Sequence, residues 1–378
     1  MRTGIITDAF ADSIGIQKYT DELTRGLVSD DRIESLCVVH SRPNGVAGEG
    51  KVKDVQIRMP DIPFQIELRQ LLVLPRVLAR LDLELLHDTY HFGPYAFGNS
   101  GYKKVLTVHD INPFVLAKQE PEYRKHLYSY YITWLKYRQI FSRIIRNADG
   151  IIAVSEYTKQ DLIKHFGIDP DKVSVVHQGV DNSRFRLVDR EVVAREKQKF
   201  FKDDPLLIVG FDSPRAIDNV ESLIHAFRHL RPRSRNVKLL LIGKPNASHV
   251  ELVRSMGLEN DVVFTGYVPD EELPVLLNTA DVFAHLSLYE GFGLPPLEAM
   301  ACGAPVAVSN ATSLPEVVGD AGIVIDKNEP GHIAGVLGDL LSDERHRDDL
   351  RTCGLRRSKE FSWDNTVRST IKVYESLI

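Results

Sequence analysis

Short apolar runs that end in small or polar residues alternate along this chain with longer segments of helical period. That alternation is the signature of parallel sheets built from strand–helix units, because strands covered on both faces read as continuous apolar stretches. One series of expected strands covers residues 3–7, 35–39, 83–87, 104–108, 150–154 and 173–176. A second covers 206–209, 238–242, 262–265, 282–285, 305–309 and 322–325. Two such series in tandem predict an α/β protein of two doubly wound parallel-sheet domains. Residues 1–180 form the first and 205–360 the second. The stretch 181–204 is expected as an interdomain linker, since it has no strand pattern and only a charged, helix-competent run near 190–202.

The length of 378 residues fits two hydrophobic cores better than one. Lys and Arg total 47 against 52 Asp and Glu, a net charge of -5, so no global positive field exists to hold a nucleic-acid backbone. The acidic excess lies in the second half. Cys37, Cys302 and Cys353 are the only cysteines and have no short spacing, which supports neither a disulfide framework nor a cysteine zinc site. A reducing cytoplasm is the expected location. Asp8 and Asp12 interrupt the first apolar run before a signal-peptide core forms, and no later run has the length of a membrane span.

The most informative stretch runs from Tyr289 to Gly303, YEGFGLPPLEAMACG, after the expected strand 282–285. Gly291 and Gly293 let the backbone approach a ligand closely, Pro295 or Pro296 suits the first turn of a helix, and Gly303 suits its end. A loop of amides and a helix N-terminus then converge on one point, an arrangement that favours a phosphate or a sugar hydroxyl. Glu290 on the loop and Glu298 in the first helical turns are suited to accept hydrogen bonds from hydroxyls flanking a diphosphate. The plainer alternative makes Glu290 a solvated loop residue and Glu298 a complement to the helix dipole. The two loop glycines favour the ligand.

This stretch resembles the signature of the family 4 nucleotide-sugar glycosyltransferases, retaining enzymes of GT-B architecture. The likeness extends over most of the chain. IIAVSEYTKQDLIKHFGIDPDKVSVVHQGVD (151–181) resembles the end of that family's first domain, SLPEVVGDAGIVID (313–326) its last strand region, and FSWDNTVRSTIKVYESL (361–377) its C-terminal helix. The resemblance implies two Rossmann-like domains facing a central cleft, with residues 361–378 crossing back to the N-terminal, acceptor-binding domain and residues 205–360 holding the donor.

Position by position, it implies that Glu298 binds the ribose hydroxyls of the nucleotide and Glu290 the transferred sugar. The amides of Phe292, Gly293 and Leu294 approach the sugar and distal phosphate. Gly15, in SIGIQKY (13–19), resembles the glycine of the turn after the first strand, near the diphosphate or the acceptor. His109, at the end of the strand 104–108, matches a histidine that reaches the donor sugar, a position consistent with ligand binding beyond the carboxyl ends of parallel strands. A lone histidine is otherwise a surface or satisfied structural residue. His87 and His91 do not ride one helical face and are assigned no metal. Asp169-Pro170-Asp171 is expected in a turn outside any site.

One segment departs from the pattern. After Gly210 the family has a short turn, Arg-Lys and Asn, whereas this chain reads Phe211-Asp212-Ser213-Pro214-Arg215-Ala216-Ile217-Asp218-Asn219. Arg215 keeps the arginine position, Ala216 replaces the lysine, and about two extra residues precede Asn219. Loss of one preorganised cation at a developing charge costs on the order of 3 to 4 kcal/mol. Lys244, at the end of the strand 238–242, is a candidate substitute, with a solvated loop lysine as the alternative. A smaller departure, Ala284-His285-Leu286-Ser287 before Leu288 where Pro-Ser is common, is expected to alter local backbone rather than chemistry.

The implied reaction moves a hexose from a UDP- or GDP-sugar to a glycan, lipid-linked or small-molecule acceptor, without a metal or other cofactor, through positioning and charge stabilisation. A hydrolase carboxylate pair is disfavoured because Glu290 and Glu298 sit in a phosphate-type loop. Residues 123–146 combine six Arg and Lys with seven aromatic residues, among them Tyr128, Tyr130, Tyr131, Trp134 and Tyr137. That face suits peripheral contact with an anionic membrane, unless the aromatics pack into the domain. Two alternatives remain open at this level: a catalytically weak sugar-nucleotide-binding accessory paralogue, motivated by Ala216, and a nucleotide-sugar epimerase on the same fold.

Overall fold

The computed structural model describes residues 1–7, 14–40, 50–57, 72–90, 101–119, 138–231, 236–325 and 329–378. The chain divides into two compact units, Met1–Gly179 with Trp363–Ile378, and Val180–Ser362.

The first unit holds a seven-stranded sheet in the order β3-β2-β1-β4-β5-β6-β7, all parallel. Its strands are β1 (Arg2–Ile6), β2 (Ser35–His40), β3 (Val52–Gln56), β4 (Leu85–Asp88), β5 (Lys103–Val108), β6 (Gly150–Ala153) and β7 (Val173–Val175). β3 has no counterpart in the apolar pattern. It is an edge strand of sequence VKDVQ that pairs only with β2 and keeps no position fully buried, so it needs no apolar run.

The helix Ile14–Ser29 turns Tyr19, Leu23 and Leu27 into the core at a four-residue spacing. The C-terminal helix, Trp363–Glu375, answers with Trp363, Val367, Ile371 and Tyr374. The two helices meet at Gly26, where even a Cβ atom would lie 2.3 Å from Val367 Cγ2. Below them runs a buried polar network. His87 Nδ1 bonds the Tyr374 hydroxyl at 2.6 Å and its Nε2 bonds Thr107 Oγ1 at 2.8 Å, while Tyr19 OH lies 3.0 Å from the same Thr107 oxygen. Thr366 Oγ1 adds a bond to the His177 carbonyl at 2.8 Å. Both ring nitrogens of His87 are therefore committed to the fold; His91 lies outside the described residues.

Burial, followed by the neighbouring His109, lowers the His87 pKa to about 3, and burial lowers that of His109 to about 4. Unfolding returns both to about 6.5. The unfolded chain then binds more protons, so the stability these groups contribute is whole above pH 6.5 and is lost as pH falls toward their folded values. Melting curves between pH 7 and 4 should show the first unit losing stability from about pH 6.5, above the carboxylate range. A melting temperature that stays flat down to pH 5 contradicts the expectation.

The second unit carries six parallel strands in the order β10-β9-β8-β11-β12-β13. They are β8 (Leu206–Phe211), β9 (Val237–Ile242), β10 (Val262–Phe264), β11 (Val282–His285), β12 (Val306–Ser309) and β13 (Gly322–Ile325). The helices Val220–Leu230 and Pro330–Ser342 pack on one face through Phe227, Leu230, Ile333 and Leu337. Strand order reverses between β8 and β11, which is where open α/β sheets place ligands, beyond the carboxyl ends of the strands.

The expected linker 181–204 belongs to this second unit. Its helix Arg190–Phe200 packs on the helix Leu273–Asn278, and Lys197 pairs with Asp204 at 2.7 Å and Asp281 at 3.7 Å. Its apolar contacts are too few to register as periodicity, so it read as a tether. At the other end Phe361 stays with the second unit, where it bonds Val180 and stacks edgewise on Phe292, and the chain passes to the first unit at Trp363. Among the described residues no helix is long and apolar enough to cross a membrane.

Candidate functional site

The carboxyl end of β11 opens into the loop that carries Glu290. Two neighbouring segments fix this loop. From the β8 side, the Ile217 carbonyl accepts from Leu288 N at 2.7 Å and Ser287 Oγ at 3.1 Å, and Asn219 Nδ2 donates to Leu286 O at 2.9 Å. Ile217 lies in the short 3₁₀ turn Ala216–Asp218, so this segment supplies the surface that docks on the Glu290 loop.

From the β12 side, Ser309 Oγ donates to Ser287 O at 2.5 Å. Thr312 Oγ1 accepts from Glu290 N and donates to Glu290 O, both at 2.8 Å. Ser313 Oγ lies 3.0 Å from Glu290 O and 2.6 Å from Phe292 O. Thr312 has a φ of 52°, a left-handed conformation that a β-branched residue rarely adopts. Its two hydrogen bonds to the Glu290 backbone hold it there, and such strain collects at functional sites.

Gly293 has a φ of 123° and starts the helix Leu294–Ala301, and a Cβ there would press on Leu314 Cδ2 at 3.0 Å. No side chain caps this helix. Pro295 and Pro296 occupy its first turn and have no N–H, so amide donors at this end come from the loop and Leu294 rather than from a full helical turn. Phe292 is buried and Leu294 half-buried. Glu298 lies in the second turn, 8% exposed. Gly303, with a φ of 75°, follows the last helical residues as its sequence position suggests.

The Glu290 carboxylate meets His285, the last residue of β11: Nε2 lies 2.9 Å from Oε1. Burial acts to raise the Glu290 pKa, but the His285 bond and charge, the Arg215 charge and Ser287 together outweigh it and hold the group below its usual value. His285 therefore makes a side-chain contact to Glu290, which goes beyond the change of local backbone expected of this departure.

Arg215 is well exposed and forks onto Asp218, with Nε 3.0 Å from Oδ2 and Nη2 2.7 Å from Oδ1. Lys244 is exposed just past β9. Its loop is pinned by Asp212, whose buried carboxylate accepts from Asn246 N at 2.8 Å and His249 Nδ1 at 2.5 Å. A Cβ on Gly243 would stand 2.8 Å from the Asp212 carbonyl, so the two loops are in close contact.

In the first unit, His109 is buried past the end of β5. Its Nε2 lies 2.8 Å from the Thr89 carbonyl and its Nδ1 3.1 Å from Gln178 Nε2, which assigns the proton to Nε2 and leaves the ring neutral. Gly15 is exposed in the first turn of its helix rather than in a turn before it. Asp169 caps the 3₁₀ turn Pro170–Lys172, accepting from Asp171 N at 3.1 Å, in the connection that leads into β7. Residues 123–137 of the basic–aromatic segment lie outside the described residues. Arg138 and Arg146 reach the carbonyls of His165 and Phe166. Among the described residues no group of His, Cys, Asp and Glu is arranged to hold a metal.

Of the residues singled out from the sequence, the structure brings together Glu290, on which the Arg215 charge acts, and the glycines and helix of the same loop. The contacts of His285, Thr312 and Ser313 with that loop and the Asp212–His249 pair were not anticipated from the sequence. Only His285 left a signal, as a departure beside the motif.

Comparison with known proteins agrees with this geometry. Residues 14–184 match the family described as Glycosyltransferase Family 4, and residues 192–356 match Glycosyl transferases group 1. The chain is 29% identical to O-antigen chain mannosyltransferase B of Escherichia coli, over 96% of each chain. It is 33% identical to the MMP alpha-(1->4)-mannosyltransferase of Mycolicibacterium hassiacum, over 80% of this chain and 73% of that one. Its fold superposes on the crystal structure of Anabaena HepE in complex with UDP and glucose with a TM-score of 0.76, at 18% identity over 100% of both chains. With two Rossmann-like parallel sheets, a Glu290–Glu298 loop at the switch point of the second and these relatives, the chain belongs to the family 4 glycosyltransferases of the GT-B fold.

Proposed function

We propose that this glycosyltransferase moves a hexose from a UDP- or GDP-sugar to a glycan, lipid-linked or small-molecule acceptor, with retention of anomeric configuration and without a metal or other cofactor. The observation that carries the reading is the immobilised Glu290 loop. Its backbone is clamped by Thr312 and Ser313 and its carboxylate is held ionised beside Arg215. Such a loop presents a fixed acceptor to sugar hydroxyls while Glu298 faces the ribose. The mannosyltransferase relatives support mannose as the hexose. The amides of Phe292, Gly293 and Leu294 serve the distal phosphate, and Arg215 and Lys244 supply the cations. His109 and Gly15 are the ligand-contact residues we assign in the first unit. A lipid-linked acceptor, with peripheral membrane contact, rests on the basic–aromatic segment 123–146.

The Arg215–Asp218 pair gives the accessory-paralogue reading its specific support, because it occupies the one arginine of the departing-group segment. The test is turnover of UDP- and GDP-hexoses in EDTA with candidate acceptors, and the product anomer read by NMR. We expect transfer with retention, and an increase of roughly tenfold or more when Ala216→Lys restores the cation. Nucleotide binding with neither transfer nor donor hydrolysis favours the accessory protein. Product formed without acceptor favours the epimerase.

A further inference from the structure

Glu290 has a second support besides the hydroxyls that clamp its backbone. His285 closes β11 with its ring 8% exposed and nearly parallel to that of Phe283, 11° between planes and 6.4 Å between centroids. From that fixed seat its Nε2 reaches Glu290 Oε1, five positions further along the chain. Both the neutral ring with its proton on Nε2 and the imidazolium donate in this geometry. We propose that His285 is a positioning residue for Glu290, fixing the orientation of its carboxylate and with it the strength with which the loop holds a sugar hydroxyl.

The inference rests on the reading of Glu290 as the sugar-contacting carboxylate. The charged and titratable groups acting on that carboxylate are His285 from β11 and Arg215, paired with Asp218, from the β8 side. The β12 side contributes the hydroxyls of Thr312 and Ser313, bonded to the Glu290 backbone, and the loop itself contributes Ser287. Burial pulls the Glu290 pKa up and His285 is the foremost group pulling it down. Removing the imidazole leaves burial opposed only by Arg215 and Ser287, so protonation of Glu290 moves to higher pH.

The experiment follows the Glu290 carboxyl carbon by NMR in full-length protein labelled at glutamate, with the resonance assigned by its loss in Glu290→Gln. We expect Glu290 to titrate below the ordinary glutamate range in the wild type and about one pH unit or more higher in His285→Leu, with His285→Gln between them. In transfer assays the acid limb of kcat/KM should move up by the same interval in His285→Leu, with the donor KM raised about tenfold and largely restored in His285→Gln. A Glu290 titration unmoved in His285→Leu overturns the proposal, as does a His285→Gln variant impaired as deeply as His285→Leu at every pH. The NMR arm stands without catalysis. A shifted titration in a protein that neither binds nor turns over any nucleotide sugar upholds the His285–Glu290 coupling and removes the donor reading of the site.

Discussion

Replacing Glu298 by Ala should weaken binding of the donor nucleotide by about 100-fold, on the order of 3 kcal/mol, the worth of two hydrogen bonds to a charged acceptor. Glu298 lies in the second turn of a short helix and is 8% exposed, so under the proposed role bonds from ribose hydroxyls to its carboxylate count for more than they would at an open surface. Titration calorimetry with UDP and GDP reads the effect directly. Glu298→Gln, which keeps the shape and an acceptor oxygen but not the charge, should fall between wild type and Glu298→Ala. Circular dichroism should find both variants folded. A Glu298→Ala protein that binds nucleotide as tightly as wild type removes this residue from the ligand site.

Gly26→Val should detach the C-terminal helix from the first unit. A Cβ alone at position 26 would stand 2.3 Å from Val367 Cγ2, 3.1 Å from Cγ1 and 3.2 Å from Cβ, so one side chain meets the whole branched end of another. Position 26 is held by the helix Ile14–Ser29 and position 367 by the helix Trp363–Glu375, and neither backbone yields without breaking contacts beneath it. Overpacking of this kind costs about 3 kcal/mol. Once the helix lifts, His87 loses the Tyr374 hydroxyl and the His177 carbonyl loses Thr366. The expected result is a fall of about 6 to 12 °C in the melting temperature of the first unit, and rapid proteolysis after residue 362. Gly26→Ala should show a smaller loss of the same kind. A Gly26→Val protein with wild-type melting and protease resistance shows that the packing at this crossing adjusts freely.

The strand series was legible because parallel strands covered on both faces must be apolar from end to end, and these leave runs such as Leu206–Phe211 and Val282–His285. β3 was illegible for the complementary reason. Its residues VKDVQ meet solvent, and only the backbone of β2 tells them where to lie. The segment 181–204 read as a tether because its docking depends on ion pairs and a few contacts with residues about 70 to 90 positions away, such as Asp281 and Asn278.

The candidate site divides in the same way. Glycine and proline at fixed spacing in YEGFGLPPLE predict a tight loop before a helix, because local backbone geometry demands those residue types, and the two glutamates there make it a candidate for binding hydroxyls. The sequence by itself therefore determined the architecture, the family resemblance and the two carboxylates. Tertiary structure alone decided what holds them. Thr312 clamps Glu290 from 22 residues away, Ile217 docks under Leu288 from the far side of the switch point, and Tyr374 completes the His87 network across 287 residues. Such contacts follow from which strands become neighbours in a sheet, and periodicity along a chain carries no record of that order.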